Sequence, residues 1–326
     1  MMARKFFIYF LVLLLTVYPA SAAGVTLNRW VLTVSILEDG AVEEIIQTEI
    51  ENNGSSSMDG FIFDVPSPKI TMPNISTFSS IGQNIDLQTS SGTTKVTINF
   101  DSPLETGKKY NARIEFKAEN WVIKSGQDYS ITIPVQAPTA IVSGKEITMS
   151  IASDPDIRSQ VSFPKSVAPT SVEPSIDAES KKPSYKKLLQ FGHIVLTWFK
   201  LNIHDVIQVK GSYSGDLSKI LEADEKLNVL SDRIKDAKAQ GKDVSQAELH
   251  LSNARDYNNQ AIEEFWKQGD VSSALNSVNY ELNLAQSSIS VNAEATPPET
   301  KKTSGFEAHA VILILLVSFI VKIRNA

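Results

Sequence analysis

The chain of 326 residues contains no cysteine. That excludes disulfide cross-links, thiol nucleophiles and cysteine-ligated zinc. Histidine is scarce: only His193, His204, His250 and His309 occur, and no two stand in HExxH spacing. Glycine (15) and proline (14) are too few for a collagen-like or wholly disordered chain. Positive charge is not in excess either, with 31 Lys and Arg against 37 Asp and Glu. A net charge of −6 therefore carries no electrostatic footprint for nucleic acid. Walker and dinucleotide glycine patterns and the Gly-x-Ser-x-Gly elbow are also missing.

What is present begins at the two ends. Arg4-Lys5, an apolar run from Phe6 to Val17, Pro19, and small residues at Ala20 and Ala22 form the three parts of a secretory signal peptide. The reading is a leader over 1–22, cleaved after Ala22 or Ala23. At the other end, Ala310 to Val321 is apolar and is followed by Lys322 and Arg324. The unbroken run is shorter than the roughly 17–25 residues of a membrane span. The wider window 306–323, with its basic flank on the C-terminal side, reads as a transmembrane helix. A buried terminal element and a removable sorting tail are the alternatives. Residues 291–305, with Pro297-Pro298 and many charges, read as a stalk. Together these predict a single-pass type I protein of the cell membrane with the bulk of the chain extracellular. A cysteine-free ectodomain points towards a prokaryotic or archaeal surface. Asn53-Gly54-Ser55 and Asn74-Ile75-Ser76 make Asn53 and Asn74 candidate N-glycosylation acceptors.

Between the ends the apolar period is two, then about 3.6. Leu27–Val34, Val42–Ile50, Gly60–Val65, Lys95–Phe100 and Tyr110–Ala118 are short, rich in β-branched or aromatic residues and bounded by turn formers. Alternation puts Trp30, Leu32 and Val34 on one face, with Arg29, Thr33 and Ser35 opposite. A second set comprises Tyr129–Val135, Lys145–Ala152, Ser159–Phe163, His193–Trp198 and Asp205–Lys210. These predict antiparallel β-sandwich-like domains over 24–120 and 121–213, or one larger continuous sandwich. The Pro/Ser/Glu/Lys-rich stretch 169–187 reads as a mobile loop.

From residue 214 to residue 290 the pattern is helical. Ile220, Ala223, Leu227, Leu230, Ile234 and Ala237 form one stripe, closed by Gly241. Ser245-Gln246-Ala247-Glu248 has the form of a capping box, with Val244 and Leu249 at the staple positions. A second stripe holds Ala247, Leu251, Ala254, Asn258, Ala261 and Phe265 and closes at Gly269. Asp270 caps a third stripe of Val271, Leu275, Val278, Leu282, Ala285 and Ile289. Short turns between three such stripes predict an antiparallel three-helix bundle. Asn258 falls at the bundle edge or fixes its register.

Little here carries reaction chemistry. Glu43 and Glu44 are neighbours on a strand, so they face opposite ways and cannot act as a pair. His193 and His204 could meet across a hairpin but lack acidic partners at ligand spacing. Asp154-Pro155-Asp156 is a turn before it is a calcium site. Trp121, Trp198 and Trp266 are core anchors before they are sugar platforms. The sequence therefore predicts no catalytic, metal or cofactor-binding residue.

Two stretches carry a resemblance. Gly192–Trp198 followed by Asp205–Lys210 is similar to closing strands in the repeated β-modules of archaeal membrane-anchored surface proteins, and the order of leader, β ectodomain, helices, stalk and span resembles theirs. Gln268–Ala274 is similar to the turn of tetratricopeptide-type helix pairs, without that repeat's Trp and Leu positions. The resemblance implies a non-enzymatic, surface-anchored binding or structural protein of the cell envelope. Its partner would be an envelope component or a membrane protein, with a homo-oligomer permitted but not required. An accessory subunit of a membrane complex and an envelope-acting hydrolase are the alternatives.

Overall fold

A computed structural model describes residues 24–176 and 182–291. The leader over 1–22, the membrane segment over 306–323, and all of the stalk beyond Val291 lie outside the described residues. Among those described, no helix is long and apolar enough to cross a membrane.

The β-rich part comes first and three helices follow, in the order the periodicity predicts. Seven strands form the longest sheet. They are β1 (Val25–Ile36), β2 (Val42–Asn52), β4 (Lys69–Thr77), β7 (Lys109–Glu119), β12 (Ser150–Ser162), β14 (Lys186–Gln190) and β15 (His193–Trp198), in the order β14-β15-β12-β1-β2-β7-β4. A five-stranded sheet holds β3 (Met58–Val65), β5 (Gln83–Ser90), β6 (Thr93–Leu104), β10 (Thr139–Val142) and β11 (Lys145–Thr148), ordered β11-β10-β3-β6-β5. A four-stranded sheet holds β8 (Ile123–Ser125), β9 (Asp128–Pro134), β13 (Val167–Glu173) and β16 (Val206–Tyr213), ordered β13-β16-β9-β8.

Among the described residues the strand pairings are antiparallel except one. β1 runs parallel to β12, with Thr26 opposite Ser150 and Ser35 opposite Ser162. The long sheet thus crosses the position between residues 120 and 121, drawing strands from both stretches. One continuous buried cluster likewise runs from Val25 to Leu217. Aromatic rings join the long sheet to the five-stranded one: Trp30 meets Phe63 edge-on at 5.7 Å, and Phe100 lies 4.6 Å from Tyr110. The same cluster takes Ile131, Ile133, Ile207 and Val209 from the four-stranded sheet. As alternation requires, Trp30, Leu32 and Val34 are buried and Arg29 is exposed.

The 169–187 stretch is not a loop throughout. Ser171, Val172 and Glu173 pair with Lys210, Val209 and Gln208, and Lys186 and Lys187 begin β14. Both are edge strands, where proline is tolerated because its missing N–H faces away from the ladder. Pro169 sits at the register shift of β13. Lys145–Ala152 is likewise two strands, β11 and the start of β12, rather than one.

The helices are α1 (Gly215–Ala239), α2 (Ser245–Trp266) and α3 (Ser272–Val291). The Ser214 side chain accepts a hydrogen bond from the Leu217 N–H at 3.3 Å, and this one residue separates the end of β16 from the start of α1. All six stripe residues of α1 are buried. Gly241 has φ +78° and closes α1: Lys242 N–H donates to the Ala237 carbonyl and Gly241 N–H to that of Lys238. The capping box at Ser245 does not form. Asp243 accepts from the Ser245 N–H at 3.0 Å, while Glu248 turns to Lys238 at 2.8 Å. A carboxylate two residues upstream reaches the free N–H first. Val244 is buried, but Leu249 is exposed and staples nothing. Gln268, not Gly269, is the left-handed residue after α2, with φ +58°. Asp270 caps α3 by accepting from the Ser272 N–H at 2.9 Å. Asn258 is buried with its Oδ1 unpartnered, so it is not at the bundle edge.

The bundle is fixed to the β-body without a linker. Leu217 belongs to the body's own cluster, and Leu221, Phe265 and Trp266 pack against it. Lys187 Nζ stands 4.9 Å above the Trp266 ring, and Ser214 N–H donates to the Ser166 carbonyl at 2.8 Å.

Candidate functional site

Strand β2 turns Val42, Glu44, Ile46, Thr48 and Ile50 inward, so its alternation buries one carboxylate among aliphatic side chains. Glu44 lies opposite Val34 on β1 and Phe116 on β7. It is only 4% exposed and has no hydrogen-bond or ion-pair partner among the described residues. Removing a carboxylate from water without compensation favours its neutral form. Burial alone pushes this carboxyl up to about 8.

Glu44 opens into a cavity of about 270 Å³ where the three sheets meet. Trp30, Leu32 and Ile46 from the long sheet, Phe63 from β3, Ile133 from β9 and Trp121 form the apolar wall. Trp121 is held by its Nε1–H, which donates to the Thr132 carbonyl at 2.9 Å. Asp64, Lys95, Gln136, Thr139 and Glu146 supply the polar lining. Lys95 pairs with Glu146 at 2.9 Å and stands opposite Asp64 across the β3–β6 ladder. The lining thus carries three carboxyl groups and one ammonium.

Residues Gln136, Ala137 and Thr139 also line a second, more apolar cleft of about 550 Å³, bounded by Met149, Ile157 and Leu201. A third hollow, about 490 Å³, lies on the bundle between α1 and α3, with Lys226, Val229 and Arg233 facing Asn279 and Asn283.

The residues weighed in the sequence go elsewhere. Asn53 and Asn74 are both exposed, Asn53 after β2 and Asn74 on the edge strand β4. His193 and His204 do not meet: β15 and β16 belong to different sheets, His193 Nδ1 bonds the Phe163 carbonyl at 2.8 Å, and His204 sits in the connection at φ +80°. His250 pairs with Glu281 at 2.7 Å, and His309 lies outside the described residues. Asp156 lies within β12, not in a turn, where Arg29 at 3.1 Å and Arg158 at 2.7 Å neutralise it. Trp121 and Trp198 are buried, and Trp266 is at the junction with the bundle. Among the described residues, no three His, Asp or Glu side chains stand close enough together to hold a metal ion. Glu43 and Glu44 do face opposite ways. Sequence reasoning set Glu44 aside as half of a failed pair, although a lone acid in the inward register of Val42-x-Glu44-x-Ile46 was the available signal.

No family model matches the chain, and no curated protein does. Among solved structures, it is similar to an M1 zinc metallopeptidase from Deinococcus radiodurans at 11% identity and TM-score 0.34, covering 58% of this chain and 42% of that one. A putative protease from Parabacteroides distasonis gives 11% identity and TM-score 0.37 over 82% of this chain and 60% of that one. Native leukotriene A4 hydrolase from Saccharomyces cerevisiae gives 11% and 0.34, over 60% and 31%. The chain spans less than two thirds of the length of each. Likenesses this slight carry no activity to it.

Proposed function

We propose that this chain is a non-enzymatic binding protein of the cell envelope, of the archaeal membrane-anchored type, in which the β-body presents the contact surface and the helices hold it away from the membrane. One observation carries the reading: the direction of the helices. α1 leaves the body, α2 returns so that Phe265 and Trp266 pack against it, and α3 leaves again. The chain therefore passes towards the proposed stalk and membrane segment from the end of the bundle far from the body. With 20 residues in α3, that offset is about 30 Å at 1.5 Å per residue.

Protease shaving of intact cells, carbonate washing of membranes, and cross-linking with pull-down test this together. The expected result is a carbonate-resistant chain whose body is shaved from outside and cross-links to an envelope component. A chain found in the cytoplasm with residues 1–22 retained overturns it. The hollow between α1 and α3 favours a second reading, an accessory subunit of a membrane complex. Recovery of a defined multispanning partner in mild detergent distinguishes that reading from the first.

A further inference from the structure

The cavity over Glu44 has a property that packing does not explain. A core position among Val34, Phe116 and Trp30 holds a carboxyl that no neighbour satisfies, and the space beside it stands open rather than collapsed. Burying such a group unpaired costs about 1–3 kcal/mol even when neutral. A leucine there would remove that cost.

The chemistry of the lining selects the ligand. Three carboxyl groups against one ammonium disfavour an anion. Lys95 is already engaged by Glu146 and faced by Asp64, so it offers no free counter-charge to Glu44. Trp30, Phe63 and Trp121 present aromatic surface, which attracts organic cations more strongly than it does neutral groups. The volume of about 270 Å³ exceeds one water's share of about 30 Å³ several times over. A hard, hydrated metal ion needs clustered oxygens, and among the described residues none cluster in that way.

We propose that this cavity binds a protonated primary amine on a short aliphatic chain, with Glu44 as the counter-ion and the tryptophans as its walls. The amine is either a free small molecule or a lysine side chain of a partner. This deepens the binding reading by naming a ligand class for the body, and it rests on that reading only for the ligand's source. The other titratable groups lining the cavity are Asp64 on β3, Lys95 on β6 and Glu146 on β11, while β1 and the 134–139 segment contribute none; burial alone, and none of these charges, shifts the Glu44 carboxyl. Binding in neutral solution expels the Glu44 proton to solvent, one proton for each amine bound.

The experiment is calorimetric titration of the full-length chain in mild detergent with n-butylammonium, Nα-acetyl-lysine amide and the neutral n-butanol, in buffers of different ionisation enthalpy. Affinity for both cations is expected to rise between about pH 6 and about pH 9, nearing tenfold per pH unit below the Glu44 midpoint, with proton release. Binding of n-butanol is expected to be at least about tenfold weaker. Glu44→Gln is expected to weaken cation binding about tenfold or more while leaving the melting temperature equal or higher. Glu146→Gln, on the exposed rim, should weaken it about twofold to threefold without touching the core. Preference for the lysine derivative assigns the ligand to a partner's side chain, and preference for butylammonium assigns it to a free amine. Both support the proposal. Unchanged affinity in Glu44→Gln, no proton release, or no cation binding at the alkaline end overturns it. Capture of an envelope partner by a chain that fails this test leaves the binding reading standing and removes only the amine site.

Discussion

The β-body and the helical bundle reach the same end, a buried core, with different materials. The body's core is aromatic and non-local, with Trp30, Phe61, Phe63, Phe100, Tyr110 and Phe116 in mutual ring contact across strands far apart in sequence. The bundle's core is alanine-rich and local: Ala223, Ala237, Ala247, Ala254, Ala261, Ala274 and Ala285 line it beside leucines and isoleucines. Small residues let helices approach closely but bury less area each, so the body should carry more stability per core residue. The body, where three sheets meet, leaves a cavity with a buried carboxyl at the junction; the hollow between α1 and α3 is lined mainly by polar side chains at the bundle surface.

Truncation tests that contrast most sharply. Trp198→Ala in the body should cost about 3–5 kcal/mol, and Leu227→Ala in the bundle nearer 2–3 kcal/mol, both read by urea denaturation. Equal losses would erase the distinction. Next in size is the pH dependence contributed by Glu44. Its folded carboxyl, raised from 4.5 to about 8, holds its proton more tightly than the unfolded one does. The native state is therefore favoured fully below the unfolded value. This contribution is lost as pH rises through the folded value, a swing of a few kcal/mol. Glu44→Gln should flatten the slope over that window and be the more stable protein above it. Denaturant midpoints measured across the range check both statements.

A smaller gain is expected in the bundle. Asn258→Leu removes a buried amide oxygen that has no partner and should stabilise by about 1–2 kcal/mol. Loss of a single helical register on sedimentation or NMR would instead show that the amide specifies the packing. The smallest effect is at the surface, where Glu248→Gln breaks the exposed pair with Lys238 and should stay within about 0.5 kcal/mol. A larger change would mean that the α1–α2 turn depends on that pair.

The bundle was legible because each stripe buries against its sequence neighbours, so Ile220 to Ala237 could be read from spacing alone. The strands were legible where alternation was strong, as in β1 and β7. Strand β5 was not, because Ile85 and Leu87 sit among polar residues on an exposed edge. Strand β4 was hidden by Pro73 near its register shift between Thr71 and Asn74. The inward direction of Glu44 followed from period two. Its lack of a partner did not, since what lines the cavity around it comes from β3, β6, β9, β11 and Trp121, and only the tertiary fold brings those together.

The parallel pairing of β1 with β12 has a consequence for how the molecule is made. Arg29 and Asp156, bonded across that pair, are 127 residues apart. As the chain emerges N-terminus first, from a ribosome or a membrane pore alike, β1 gains β2 early and then waits for its other neighbour. At synthesis rates of about 5–20 residues per second, that wait is on the order of ten seconds. For that interval a twelve-residue β1 offers an unprotected ladder edge to any other nascent copy. Crowding of unfinished chains, rather than weakness of the finished one, is where this architecture is most vulnerable.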